Sequence, residues 1–130
     1  MKTSIAVVAE RSRRGPNGKI DVLGAHNLRI AAAFPARMQV TLVLRFDVEP
    51  EDYGVPLRIV VHVLDEDDAE LVHLAGTPIT FESPSPPGLP LAHDLTLPIS
   101  IEFPHQATWT FDVRVNDRSV ARVPLRVQTK

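Results

Sequence analysis

Histidine is the residue type in this chain best suited to metal or acid-base chemistry. There are five histidines and no cysteine, so thiolate ligands and thiolate nucleophiles do not arise. His62 and His73 stand out because each lies in a run with apolar residues at every second position, Leu57 to Leu64 and Glu70 to Ala75. Folding these runs into a hairpin around Asp65 to Ala69, with Val63 opposite Val72 and Leu64 opposite Leu71, sets His62 directly across from His73. Two imidazoles on neighbouring strands can reach a common metal ion, although a zinc site calls for a third or fourth ligand. On this register no third ligand stands beside them. The plainer expectation is two histidines on a partly covered sheet surface, with His62 and His73 kept as metal-ligand candidates. His93 falls on the apolar side of its run, as a core histidine or a third ligand, while His26 and His105 fall near loops.

The acidic turn Asp65-Glu66-Asp67-Asp68 raises the possibility of calcium, because β-sandwich modules chelate that ion with loop carboxylates. Asp47, Glu49, Glu51 and Asp52 could complete such a site only from the same end of the fold, and Tyr53 is the one aromatic placed for a carbohydrate. The favoured reading of these acids is a solvated hairpin tip that resists edge pairing. Arg11, Arg13, Arg14 and Lys19 form a basic cluster without interleaved aromatics, which reads as a solvated loop and not as a nucleic-acid surface. Neither a Gly-x-Ser-x-Gly elbow nor a phosphate-cradling glycine loop is present. The expectation is therefore a chain that is not an enzyme and needs no cofactor.

The elements that must position these residues read as strands. From Met38 to Val48 the even positions are apolar, Val43 being the exception on the other face, and from Leu91 to Phe103 the odd positions are apolar apart from His93. Trp109 to Val115 and Val123 to Val127 repeat the pattern. A period of two gives each strand one dry and one wet face, and two such sheets bury their dry faces by packing together. The predicted fold class is all-β: one antiparallel two-sheet β-sandwich, immunoglobulin-like or jelly-roll-like, of about eight strands. It occupies residues 1–130 as a single domain, since domains cluster near roughly 100 to 150 residues. Twelve prolines argue against long helices, and Asn27 to Phe34 is the best candidate for even one helical turn.

Predicted turns fall at Asn17-Gly18, at Glu51 to Gly54 closing a hairpin, at the acidic tip, and at Asn116 to Arg118 as a three-residue loop that keeps Val113 opposite Ala121 and Phe111 opposite Val123. Ser83 to Pro90 is either a crossing between sheets or a displayed segment. Pro98 and Pro124 mark their strands as edges, because proline cannot donate to a ladder.

The segment Ala9 to Gly24, centred on Gly18-Lys19-Ile20-Asp21-Val22-Leu23-Gly24, resembles the opening of a family of small bacterial proteins of unknown function. The likeness continues through Phe34-Pro35, Val43 to Phe46, Val63 to Asp67, Phe111 to Asp117 and Val123 to Val127. It implies an immunoglobulin-like sandwich and supplies no catalytic residues. The family's pattern carries glycine at the positions of Asp68 and Asp117 here.

A net charge of −2 offers no field for nucleic acid or an anionic membrane, and no run approaches the roughly 20 apolar residues of a membrane span. The absence of cysteine and of a signal-peptide core fits a cytoplasmic protein. The leading expectation is a module for protein-protein interaction or self-association through an edge strand or loop end. The alternatives are a calcium- or carbohydrate-binding module and a metal-dependent enzyme centred on His62 and His73.

Overall fold

A computed structural model of the protein describes residues 2–15, 20–82 and 91–130, with nothing stated of the Leu91 side chain. Its strands are β1 (Lys2–Arg14), β2 (Ile20–His26), β3 (Leu28–Ala31), β4 (Ala36–Val48), β5 (Ile59–Leu64), β6 (Glu70–Ala75), β7 (Leu91–Phe103), β8 (Ala107–Val115) and β9 (Arg118–Thr129). They form a four-stranded sheet in the order β2-β1-β4-β7 and a five-stranded sheet in the order β3-β9-β8-β5-β6. The fold is an all-β sandwich, with nine strands among the described residues where about eight were expected.

The alternation read from the sequence is what joins the sheets. Val40, Leu42, Leu44, Phe46 and Val48 of β4 are fully buried, as are Phe111, Val113, Leu125 and Val127 from the opposite sheet. These residues belong to one apolar cluster that draws on both sheets, with Trp109 packed against Phe103 at 5.5 Å between ring centres. β4 and β7 pair without interruption from Ala36↔Phe103 to Val48↔Leu91. No bulge is needed there, since both strands keep strict parity over their length.

Departures from expectation fall where tertiary pairing overrides local pattern. Asn27 to Phe34 makes no helical turn: Leu28–Ala31 is a strand, and its pairing with β9 is parallel, so the sandwich is not wholly antiparallel. Arg126 N–H donates to Asn27 O at 2.8 Å at the start of that ladder, giving the segment a partner distant in sequence. Glu51 to Gly54 closes no hairpin. β4 and β5 lie in different sheets, and the connection carries a 3₁₀ turn over Pro50–Asp52, capped reciprocally by Glu49 and Asp52.

The last hairpin is tighter than expected. Asn116 and Asp117 both have positive φ and form a two-residue turn between Val115 and Arg118, and a bulge between Val113 and Arg114 then restores Val113↔Ala121 and Phe111↔Val123. Asp68 and Asp117, where the family's pattern has glycine, have φ of 61° and 68°, the left-handed region that glycine enters without steric cost. The turn expected at Asn17-Gly18 and the Ser83 to Pro90 segment lie outside the described residues. β1 and β2 do pair antiparallel up to Arg14↔Ile20.

Of the two strands marked by proline, β7 is an edge of its sheet. β9 is bordered by β8 along its length and by β3 only from Arg126 to Thr129, which leaves Pro124 just beyond the stretch that β3 covers.

Candidate functional site

The β5–β6 hairpin places its side chains by parity. Ile59, Val61 and Val63 enter the core, so His62 points to the outer face of the five-stranded sheet. His73 lies directly across from it, as expected, with ring centres 5.6 Å apart. Beyond Val63↔Val72 the register slips, and Leu64 pairs with Glu70 instead of Leu71. The extra residue, Leu71, carries Glu70 across to the face of the histidines, where uninterrupted alternation would have kept it on the opposite one. The slip originates in the three-residue tip. Asp65 N–H donates to Ala69 O at 2.9 Å, and Asp68 takes the left-handed conformation that ends such a loop.

Glu70 bridges the two histidines. His62 Nδ1 donates to one carboxylate oxygen and His73 Nδ1 to the other, the latter at 3.3 Å. These bonds, that from His62 foremost, hold the Glu70 carboxyl below the usual carboxylate range. One ligand atom from each of His62, Glu70 and His73 lies within 4.8 Å of the others. Exposure rises from His62 at 22% through Glu70 at 42% to His73 at 60%, so the group opens to solvent on the β6 side.

On the β8 side His62 is registered against Asp112, which is 1% exposed. Ser119 Oγ donates to Asp112 at 2.5 Å and Arg114 Nε at 3.0 Å. Burial alone would raise the Asp112 carboxyl; these two donors and the positive charges of Arg114 and Arg122 outweigh it and leave it below its ordinary value. Arg122, opposite Asp112 on β9, reaches Asp68 at 2.9 Å. A polar rung thus crosses four strands, from His73 through His62 and Asp112 to Arg122.

The remaining candidates are engaged elsewhere. His93 belongs to the other sheet, hydrogen-bonded to the Tyr53 hydroxyl at 3.1 Å and stacked on Phe81 at 4.6 Å, so it is no third ligand. His26 Nδ1 donates to Gly24 O, and His105 packs on Trp109. Within the acidic turn, Asp65 accepts the N–H groups of Asp67 and Ala69, and Glu66 accepts from Thr108 N–H at 2.8 Å and from Arg126 at 3.2 Å. The turn follows the C-terminal end of β5, whereas Asp47 to Asp52 lie where β4 ends and β5 has yet to begin. The two acidic loops therefore occupy opposite ends of β5 and cannot share an ion. In the basic cluster Arg13 pairs with Asp21 at 3.1 Å; Lys19 lies outside the described residues.

A second feature lies on the inner side of the same hairpin. β6 and β7 are each one edge of their sheet, and between them opens an apolar cleft of about 260 Å³ lined chiefly by Ile59, Leu74, Ile79, Leu95, Leu97 and Ile99. A second recess, bounded by Arg37, Leu71, Leu74, Ser100 and Glu102, adjoins it and shares Leu74 and Ser100. Over all 13 residues of β7 the only ladder partner among the described residues is β4.

Residues 4–128 match the model of a family described as "Family of unknown function (DUF6941)". The chain belongs to this family. No curated protein matches the chain, and the family's description assigns no function. No helix among the described residues is long and apolar enough to cross a membrane.

Sequence reasoning missed Glu70 and the cleft. The signal for Glu70 was the glycine-type position at Asp68, which implies a three-residue loop with a bulge and hence a change of parity. The cleft had no local signal, because Leu74, Ile79 and Leu97 meet only once the sheet order is known.

Proposed function

We propose that this member of the family is a bacterial, cytoplasmic, non-catalytic module of immunoglobulin-like type, which binds a partner protein by accepting an extended segment along β7. What supports this reading is one juxtaposition: a 13-residue edge strand, with β4 as its only ladder partner among the described residues, runs beside an apolar cleft. Main-chain groups on an edge give affinity to an added strand, and pockets for its alternate side chains give selectivity. Leu95 and Leu97, only partly buried, would meet the apolar side chains of the incoming segment. Pro98 removes one donor from the ladder and so limits indiscriminate pairing. Neither nucleic acid nor a membrane enters this reading, and the chain makes and breaks no bonds of its own.

The test is a photo-crosslinking residue at Ser100, exposed on β7 at the mouth of the cleft, in the living host. A single crosslinked heterologous protein, lost when Leu97→Lys is added to a chain that keeps its β-sheet circular dichroism, is expected. A crosslinked homodimer would replace the partner with a second copy of this chain. Crosslinks indifferent to Leu97→Lys would remove the cleft from the account.

A further inference from the structure

We propose that His62, Glu70 and His73 form a binding site for a single zinc ion on the outer face of the β5–β6 hairpin, distinct from the cleft on its inner face. Three observations converge. The first is the alignment of the imidazoles: His62 and His73 are direct cross-strand partners, and both present Nδ1 to the same carboxylate. The second is the bulge at Leu71, without which Glu70 would not reach this face. Bulges commonly re-aim one side chain at a functional position. The third is compactness, since the three ligand atoms already lie within 4.8 Å of one another. Tetrahedral zinc, with bonds of roughly 2.0 to 2.2 Å, needs its ligand atoms about 3.4 Å apart, a change that side-chain torsions alone can supply.

The donor set selects the metal class. Two imidazole nitrogens and one carboxylate oxygen suit a borderline divalent ion such as zinc, whereas calcium and magnesium want a shell made of oxygen. On binding, each imidazole that now donates from Nδ1 to Glu70 turns Nδ1 to the ion as a lone pair, its proton moving to Nε2 or, from an imidazolium, to solvent, and the ion takes the place of those hydrogen bonds. Three protein ligands leave a fourth position, which water fills. His62 comes from β5 and the other two ligands from the edge strand β6, so the ion clips β6 to the body of the sheet. It orders the strand whose inner residues, Val72 and Leu74, face the apolar core and cleft.

The experiment is titration calorimetry of the tag-free full chain, stripped with chelator, using zinc chloride alone. The expected result is one equivalent bound, with affinity reduced at least about tenfold in Glu70→Gln and at least about a hundredfold in His73→Ala, since loss of a group that merely orients a ligand already costs about 10- to 100-fold. Both positions are exposed, so neither variant should disturb folding. His105→Ala should bind as the unaltered chain does, and millimolar calcium or magnesium should not compete. Substoichiometric binding, or affinity unchanged in Glu70→Gln and His73→Ala, would overturn the proposal. The photo-crosslinking result is a separate readout, so the zinc site and the β7 docking edge fail or stand independently.

Discussion

The two sides of strand β6 are built on opposite principles although a single residue step separates them. Inward, Val72 and Leu74 meet apolar neighbours, and the space they border is a cleft lined by leucine and isoleucine. Outward, His73 begins a rung of titratable groups, and Asp112, the most buried of them, is held by Ser119 and Arg114. The contrast teaches that strand parity sorts chemistry: non-directional burial holds the inner face together, while the outer face depends on complete pairing of each polar group. Glu70 shows the exception, because a bulge is the local device that moves a residue from one side to the other.

The comparison can be broken first at adjacent residues of β8. Phe111→Ala empties a fully buried site on the inner face and is expected to cost about 3 to 5 kcal/mol in denaturant unfolding. Asp112→Ala on the outer face leaves Ser119 and Arg114 without their acceptor and is expected to cost about 1.5 to 3 kcal/mol. Equal losses would erase the distinction between the faces.

The second effect carries a pH signature that the first lacks. The folded-state carboxyl of Asp112 titrates below its unfolded value, so the stability it contributes is present above the unfolded pKa of about 3.9. That stability is lost as pH falls through the folded value. Unfolding free energies of the native chain and Asp112→Asn should therefore differ at neutral pH and converge at strongly acidic pH, whereas the deficit of Phe111→Ala should persist.

A smaller effect sharpens the account of the hairpin tip. Arg122→Ala removes an exposed pair with Asp68 and is expected to cost about 1 kcal/mol or less, diminishing further in high salt. The two left-handed aspartates should then diverge. Asp117→Gly relieves an unfavourable φ and is expected to gain about 0.5 kcal/mol, while Asp68→Gly gives up the Arg122 pair for the same relief and should gain less.

What could be read from the sequence follows from the same physics. Alternation in β4, β7, β8 and β9 dominates, with Val43 and His93 as exceptions and one bulge in the β8–β9 pair, because each strand buries one face, so the inner residues and the sandwich were legible. The His62↔His73 pair was legible because the alternation of the two runs sets one register from Val60↔Ala75 to Val63↔Val72, and the slip falls only nearer the tip. Glu70 was not, since a bulge changes parity without changing composition. The connection through Glu51 and the parallel pairing of β3 with β9 were hidden for another reason: alternation assigns faces and says nothing of which sheet receives the next strand.

The most direct test of the docking edge is hydrogen exchange followed by mass spectrometry on the chain alone and with the partner captured from Ser100. Strand addition is expected to slow exchange in peptides from β7, Leu91–Phe103, and to leave β2, the other edge of the same sheet, unchanged. Protection of β2 or β3 with β7 unaltered would contradict the account.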